Sequence, residues 1–565
     1  MIRMPYQLDK ISCFIVTLFM CQIAFSDVTE IGLEKTHSYR ITSPEVLATN
    51  PVEMAEFGKT LFSANFTSQD GAGRPLAKGT GPFLSDMEHP LVFPRNFNRV
   101  SGPDANSCAG CHNAPFGIPG GAGDIVGNVF VLGQRFDFAT LDPADTVPTR
   151  GSVDELKRFM NLNTIGNSRA TPGMFGSGYI EMLARQITAN LQAIRKTIKP
   201  GESKALASKG ISFGILSRDA AGNWNTDKVE GLSYPSLLTS DHQEPPSLVM
   251  RPFHQNGALM SLRVFTNNAF NQHHGMQSDE RFGTGMDRDG DGVAGELTWG
   301  DITAVAVYQA TMAVPGRVIP DVPEIEKAVW EGERKFSEIG CAACHIPRLP
   351  LVADGHLFTE PGPYNPLGNL ILDSVKQVYS VDLNNKDFPL PRLKADHDTT
   401  WVPAYTDLKL HDITSGPDDP NREPVDMLRP PGSPEFLAGN GRFLTKKLWG
   451  CANAPAHFHH GLFTTLRESV LAHSGEALAS RRAFETLDTY ERACVIEFLK
   501  SLQVLPPGTK HLVVNEKFKK KNWPPRHAEA AESRTAASGA RAGEGFWARL
   551  RSGWKRGVHG ISGSP

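Results

Sequence analysis

Two C-x-x-C-H motifs constrain this 565-residue chain more than any other feature of its sequence. In this spacing the two thiols form thioethers to a porphyrin and the histidine becomes the proximal iron ligand, so the motif is the attachment signature of c-type heme. Zinc or dithiol redox chemistry is the alternative for a C-x-x-C pair. Zinc sites, however, group four ligands at short spacing, and thioredoxin-like sites need a βαβ context. The sequence therefore predicts two covalently bound heme c groups. The residues that would hold them are Cys108, Cys111, His112, Cys341, Cys344 and His345.

The N-terminus predicts export from the cytoplasm. Residues 1–26 read as a secretory signal peptide, because Arg3 and Lys10 supply positive charge, residues 11–25 form an apolar run and residues 24–26 fit a cleavage site. The run is short for a membrane span, and an uncleaved membrane anchor is the alternative. Bacteria attach c-type heme outside the cytoplasmic membrane, so we expect a periplasmic protein.

The net charge argues against one class of function, and the remaining cysteines leave two arrangements open. A net charge of −3 gives no electrostatic support to nucleic-acid binding. Once the signal peptide is removed and four thiols carry heme, Cys451 and Cys494 remain. An oxidising compartment permits a disulfide between them, and two separate buried thiols are the equal alternative.

Two repeated segments indicate that the chain contains two related heme units. A Gly-x-x-x-Phe pattern precedes each heme motif, at Gly58–Phe62 and at Gly332–Phe336. The glycine would let another helix approach closely, and the aromatic ring would pack near the heme. After each motif comes a glycine turn, a Ser or Thr N-cap and a helix, in residues 253–263 and 458–467, which we align on the Phe-His pair that opens each segment.

We therefore predict a mainly α fold with two cytochrome c-like heme domains in tandem and long loops. The N-terminal heme domain, with insertions, is assigned to residues 27–318 and the C-terminal heme domain to residues 319–522. Residues 523–565 form a basic tail rich in Ala, Gly, Ser and Arg, which predicts a flexible segment. A short amphipathic helix at 546–556 that contacts a membrane surface is the alternative for the tail.

Four longer segments, residues 106–115, 251–277, 405–412 and 458–476, carry a resemblance to a known family. In these segments the chain resembles the bacterial di-heme oxidoreductases, whose members include peroxidase-like and thiol oxidoreductase-like proteins. That family is related to bacterial di-heme cytochrome c peroxidases and to the di-heme enzyme that matures tryptophan tryptophylquinone. The resemblance implies an oxidoreductase and does not identify its substrate.

For the C-terminal heme, the resemblance implies a sixth iron ligand on the helix after the second glycine turn. Relatives place Met or Tyr after a Thr-Leu-x-x-x-Val segment, and here His473 follows that segment. His473 would then lie opposite His345 and give a low-spin bis-histidine iron suited to electron transfer. An ordinary surface histidine is the alternative.

The N-terminal heme lacks the ligand histidine that cytochrome c peroxidases place soon after their first motif, since residues 117–129 contain none. Either this heme is five-coordinate and open to peroxide, or a ligand comes from farther away, with His254, His273 and His274 as candidates. His273 or His274 would serve as a distal ligand or as the acid–base group that moves a proton between the peroxide oxygens. Relatives use a nearby glutamate, for which Glu280 is the candidate.

Two further segments are candidates for supporting roles. His411 would donate to a heme propionate or act in a proton relay, with a structural histidine as the alternative. Residues 287–296 have the acid spacing of a calcium loop, although position twelve of an EF-hand falls on Thr298. An acidic surface turn is the alternative there. The predicted Ca2+ ligands are Asp287, Asp289, Asp291 and Glu296.

Together these patterns predict a periplasmic di-heme oxidoreductase with peroxidase-type chemistry. Peroxide would bind at the N-terminal heme, and electrons would arrive through the C-terminal heme from a small cytochrome or another redox protein. A pure electron carrier with two saturated hemes is one alternative. An enzyme that oxidises a protein partner is the other.

Overall fold

The computed structural model describes residues 31–37, 39–73, 105–123, 125–128, 152–153, 159–160, 167–287, 291–426, 428–429, 433–454 and 457–525. The predicted signal peptide, the tail beyond residue 525 and Asp289 lie outside these residues. Within the described ranges, no helix has both the length and the apolar character needed to cross a membrane.

The helices lie in both predicted heme units. In chain order the α-helices are α1 (Ser43–Ala48), α2 (Pro51–Ser63), α3 (Cys108–Cys111), α4 (Ser177–Lys196), α5 (Tyr234–Leu237), α6 (Leu262–Ala269), α7 (Asp279–Phe282), α8 (Trp299–Ala310), α9 (Pro323–Glu338), α10 (Pro434–Leu437), α11 (Leu466–Leu471), α12 (Leu478–Thr486) and α13 (Thr489–Ser501). A π-helix covers Phe270–His274, and 3-10 helices cover Cys341–Ala343, Leu372–Ser374, Cys451–Asn453 and Gly475–Ala477.

The strands lie between and after these helices. They are β1 (Ile125–Asn128), β2 (Ser152–Val153), β3 (Phe159–Met160), β4 (Asn167–Ala170), β5 (Ser203–Ser208), β6 (Ile211–Arg218), β7 (Trp224–Asn225), β8 (Gly316–Val318), β9 (Leu349–Val352), β10 (Leu357–Glu360), β11 (Tyr379–Asp382), β12 (Ala395–Asp396), β13 (Thr399–Val402), β14 (Leu410–Asp412), β15 (Arg442–Leu444), β16 (Leu502–Gln503) and β17 (Val513–Val514). The three-stranded sheets have the orders β5-β6-β7, β12-β13-β9 and β16-β8-β17.

The prediction of a mainly α fold is wrong. The structure is 33% helical and 15% strand, and the strands form several small sheets. The reason is visible in β6, where Ile211, Phe213 and Leu216 are buried while Ser212 is exposed. Such near-alternation buries one face of a strand, so segments that read as long loops pack as short antiparallel ribbons.

Each heme motif is preceded by a helix that crosses a second helix at a glycine. In the first pair, α2 begins at Pro51 after the N-cap Asn50, and a Cβ on Gly58 would collide with the backbone oxygen of Ala304 in α8. In the second pair, α9 begins at Pro323, and a Cβ on Gly332 would collide with the backbone of α13. Only glycine allows backbones to approach this closely, as the Gly-x-x-x-Phe pattern predicts.

The hydrophobic core is shared between the two predicted units. The larger cluster runs from Ile41 to Val504 and includes Leu351 and Val402 of the sheet β12-β13-β9. A smaller cluster forms around α9 and α13 and contains Phe336, Tyr405, Phe484, Val495, Phe498, Leu499 and Leu502. The N-terminal core therefore recruits strands from the C-terminal half of the chain, which holds the two heme motifs close together.

Candidate heme-binding cavity

One continuous cavity of about 560 Å3 is lined by both C-x-x-C-H motifs. Its walls include the thiols and histidines of both motifs, along with Phe62 and Phe336 of the two glycine-containing helices. The two motifs also share a backbone arrangement. The amide of His112 donates to the carbonyl of Cys108 at 3.0 Å, and that of His345 donates to Cys341 at 3.0 Å.

The histidine of the first motif is oriented by two backbone carbonyls. Nδ1 of His112 lies 3.2 Å from the Gly121 oxygen and 3.1 Å from the Pro172 oxygen. Carbonyls only accept hydrogen bonds, so Nδ1 carries the proton and Nε2 keeps its lone pair for a metal. Burial, reinforced by the charge of nearby His273, lowers the pKa of His112 to about 4. The neutral imidazole is therefore present near pH 7.

The histidine of the second motif has the same arrangement. Nδ1 of His345 donates to the carbonyl of Tyr405 at 3.1 Å. Burial, followed by the charge of His473, lowers the pKa of His345 to about 4. The ring of Phe336 lies 6.2 Å from that of His345, as Phe62 lies 6.1 Å from His112. Both motifs thus present a neutral, oriented imidazole beside an aromatic ring.

His473 lines the cavity near His345. Its Nδ1 donates to the Ser469 carbonyl at 2.7 Å, which leaves Nε2 as the nitrogen with a lone pair. Burial lowers the pKa of His473, and its charge in turn lowers the pKa of His345, so the two imidazoles are close enough to interact. His473 as a second iron ligand stays a prediction.

His273 and His274 have different surroundings, although they are neighbours in the π-helix Phe270–His274. His274 is buried, with Nδ1 2.6 Å from the Ala105 carbonyl and Nε2 3.3 Å from Sγ of Cys108. His274 therefore ties the first heme motif to the end of α6. His273 and His274 both line the cavity, and the charge of His273 lowers the pKa of both His112 and His254. A role of either residue at the first heme stays a prediction.

The two glycine turns match each other in backbone conformation. His254 and Phe458 both have a positive φ, 61° and 70°, and Gly257 and Gly461 follow with 66° and 70°. The bridges that close the turns are Phe253–Leu259 and His457–Phe463. Aligning the two segments on their Phe-His pairs leaves a difference of one residue in loop length. The backbone angles and the bridges align the turns without that difference, so His254 corresponds to Phe458. Backbone conformation sets this register, and side-chain identity does not.

Glu280 lies away from the cavity. Its carboxylate accepts from Nε of Arg263 at 3.0 Å and also from Asn267 and the Leu370 amide. Arg263 is fully buried and pairs in addition with Glu360 at 2.9 Å. With its oxygens engaged in this network, Glu280 holds the structure together and does not face the first heme motif.

His411 bridges two carboxylates beside the second motif. Nε2 lies 2.9 Å from Asp407 and Nδ1 lies 2.6 Å from Glu476. Burial by itself would lower the pKa of His411, but hydrogen bonds to Asp407, Cys344 and Glu476 raise it to about 11. The cation sits beside the thiol that would carry the porphyrin vinyl group. Donation from His411 to a heme propionate, or a role in a proton relay, stays a prediction.

The predicted calcium ligands are only partly described. Asp287 accepts from the amides of Asp291 and Gly292, and Glu296 accepts from the amide of Gln277 at 2.7 Å. The described carboxylates Asp287, Asp291 and Glu296 do not form a set whose oxygens all lie within 4.8 Å of one another. Asp289 lies outside the described residues, and calcium binding here stays a prediction.

Cys451 and Cys494 are both free thiols. Sγ of Cys451 lies 3.5 Å from the Leu499 carbonyl, whereas Cys494 is buried beside Glu331. Of the two arrangements open from the sequence, the structure has two separate thiols.

The cavity wall also includes three residues that no sequence pattern singles out, Lys446, Lys447 and Trp449. The signal available was local: two lysines and a tryptophan lie within a short segment that leads to Cys451. Without a known spacing, such a segment does not differ from an ordinary basic loop.

Residues 388–502 match the family model described as "Di-haem oxidoreductase, putative peroxidase". This segment is similar to the di-haem oxidoreductase family. It contains the blocks 405–412 and 458–476, so the resemblance predicted from the sequence is confirmed. The match supports an oxidoreductase role and a heme cofactor.

The other comparisons add little. A search of curated proteins gave no significant match. Matching solved structures include "Kuenenia stuttgartiensis Hydrazine Synthase Pressurized with 20 bar Xenon", which is 13% identical, with a TM-score of 0.31, over 88% of this chain and 100% of that chain. A similarity this slight supports no conclusion about fold or function.

Proposed function

We propose that this protein is a periplasmic di-heme c-type oxidoreductase with peroxidase-type activity. The observation that carries the proposal is the single cavity of about 560 Å3 that opens on both C-x-x-C-H motifs. The family-model match over residues 388–502 supports the oxidoreductase class. The signal-like N-terminus and the attachment motifs support a periplasmic location.

The residues present fit two heme c groups. Four thiols would carry the porphyrins, and two neutral imidazoles with Nδ1 bound to carbonyls are ready to ligate iron through Nε2. Bound heme supplies the iron at which peroxide is reduced and the reducing equivalents for that reduction.

At the second motif we propose that His345 and His473 are both iron ligands. The electrostatic effect of His473 on His345 and their shared cavity wall support this pairing. Two imidazole ligands leave no site for peroxide and favour electron transfer. We therefore assign electron entry, from a small cytochrome or similar redox protein, to this end of the cavity.

At the first motif we propose that His273 is the acid–base group. His273 would accept a proton from one peroxide oxygen and return it to the other as the bond between them breaks. His274 is engaged by Ala105 and Cys108, and Glu280 by Arg263, so neither supports this role.

The surroundings of the two motif histidines also favour a second function. His273 lowers the pKa of His112, as His473 lowers the pKa of His345. If His273 ligates the first iron permanently, both irons are saturated and the protein is an electron carrier.

Spectra of the full chain, matured with heme, separate these functions. The hemochrome spectrum and the protein mass should show two covalent hemes. If the protein is a peroxidase, electron paramagnetic resonance should show the signal of one low-spin iron, and this signal should be lost in His473→Ala. Peroxide should change the spectrum of the other iron. The control for the role of His273 is His274→Ala, a change at the neighbouring position. Two low-spin irons in every redox state, with no response to peroxide, would establish the carrier instead.

A further inference from the structure

Lys447 and Trp449 lie against the start of α4, inside the cavity. Nζ of Lys447 is 3.4 Å from the hydroxyl of Ser177, the first residue of the helix. The Trp449 ring packs on Gly176, where a Cβ would come within 2.6 Å of it. All of these residues except Gly176 line the cavity. The extended segment that follows β15 thus places the side chains of Lys447 and Trp449, two positions apart in the sequence, at the start of α4.

Among the described residues, the indole N–H here has no acceptor and the ammonium has no carboxylate partner. Trp449 is 5% exposed, yet its Nε1 has no hydrogen-bond partner among the described residues. Within the same ranges, no carboxylate forms an ion pair with Lys447. A buried N–H without an acceptor costs roughly 1–3 kcal/mol. The Lys447 ammonium contacts the Ser177 hydroxyl at 3.4 Å, which gives it no counter-charge.

Both the electrostatics and the backbone favour an anion here. Burial, followed by the charge of Lys446, lowers the pKa of Lys447 to about 7, so the ammonium lacks the negative partner that would stabilise it. The N-terminus of α4, a 20-residue helix, adds partial positive charge, and its N-cap is Gly176, which has no side chain to cap it.

The group formed by Lys447, Trp449 and Ser177 lies near both heme motifs. The Pro172 carbonyl, which accepts from His112, lies just before α4 in the chain. The backbone of Lys446 interacts with His345. The group therefore lies where the surroundings of the two proximal histidines meet.

We propose that Lys447, Trp449 and Ser177 bind a heme propionate at the junction of the two heme sites. The proposal rests on the proposed di-heme function, because the carboxylate is that of the cofactor. Lys447 supplies the counter-charge, the indole N–H donates one hydrogen bond and the Ser177 hydroxyl donates another. Either heme is a possible source of the carboxylate, since both motifs line the same cavity.

The test uses the full chain matured with heme and the variants Lys447→Met and Trp449→Phe. Lys409→Met is the matched lysine control, because Lys409 is also half-buried but lies 3.6 Å from Glu230. Trp401→Phe is the matched tryptophan control, since Trp401 packs against Arg348 and is not part of the cavity wall. Heme content is measured first, then the propionate bending band by resonance Raman and the midpoint potential of each heme.

We expect both variants to keep two hemes, with a shifted propionate band and a shifted midpoint potential for one heme, while both controls match the wild type. A crystal structure of the heme-loaded protein then identifies whether the carboxylate comes from the first or the second heme. Two hemes with unchanged bands and potentials, or propionates bound elsewhere, overturn this inference alone. A matured protein without covalent heme overturns the proposed function and this inference with it.

Discussion

The contact between Gly332 and α13 offers a direct test of the paired-helix architecture. A Cβ placed on Gly332 would lie 1.9 Å from the carbonyl oxygen of Cys494 and 3.0 Å from the Cβ of Phe498. The oxygen belongs to the backbone of a helix and cannot rotate away. Alanine at this position therefore forces α9 and α13 apart.

The size of the effect follows from the displacement. Ordinary van der Waals contact begins at 3.4 Å, so the helices must separate by about 1.5 Å at this point. Overpacking a core costs about 1–3 kcal/mol, and alanine regains about 0.5–1 kcal/mol that glycine loses in a helix. Because the obstacle is backbone, we expect the upper end of the cost and a net loss of about 2 kcal/mol.

Thermal unfolding, followed by circular dichroism and by the heme absorbance, measures this loss. Gly332→Ala should melt earlier and should also perturb the second heme, because Phe336 on α9 contacts His345. Gly110→Ala is the control: its Cβ would meet only Ser107, at 4.0 Å, and the change makes the first motif read C-A-A-C-H like the second. A Gly332→Ala protein that melts with the wild type, or a Gly110→Ala protein that loses as much, would refute the reasoning.

Three further changes test individual side chains. His411→Asn should destabilise the protein by roughly 3–5 kcal/mol near neutral pH, because it leaves the carboxylate of Asp407 buried without its cation. Because the pKa of His411 is raised, the stabilisation that it provides is complete below about pH 6.5 and is lost as the pH rises through about 11. In urea denaturation, the difference in the free energy of unfolding between wild type and variant should therefore shrink at alkaline pH. His274→Ala should lower the free energy of unfolding by about 1–3 kcal/mol, since a buried carbonyl loses its donor, and an unchanged melting temperature would contradict the tying role. Glu280→Gln should weaken the buried pair with Arg263 and lower stability, while the rate of peroxide reduction per folded molecule stays at the wild-type value; a fall in rate at constant stability would instead make Glu280 the acid–base group.

The heme motifs and the glycines of the paired helices were predictable because each depends on a short, local rule. Covalent attachment needs two thiols and a histidine at fixed spacing, and close helix contact needs a residue without a side chain. Gly58 and Gly332 meet their partner helices as the sequence predicts. His473 could be placed beside the second motif because a family pattern extends to that position.

The remaining features depend on contacts between distant segments. The Ala105 carbonyl holds His274 Nδ1, and no spacing rule connects the two residues. Glu280 is taken out of the site by Arg263, which is itself held by Glu360 from the C-terminal half of the chain. The short strands were missed because the alternation of buried and exposed residues in segments this brief is too weak to read from the sequence alone.

The pairing of α2 with α8 has a consequence for how the protein is made. The chain is synthesised from its N-terminus, so α2 and the first motif emerge long before α8 exists to pack against them. Gly58 has no partner backbone during that interval, and contacts this distant in sequence form late. The first pair of thiols therefore remains accessible on an unfinished chain, and under the proposed function a heme-attaching enzyme would have this interval in which to act.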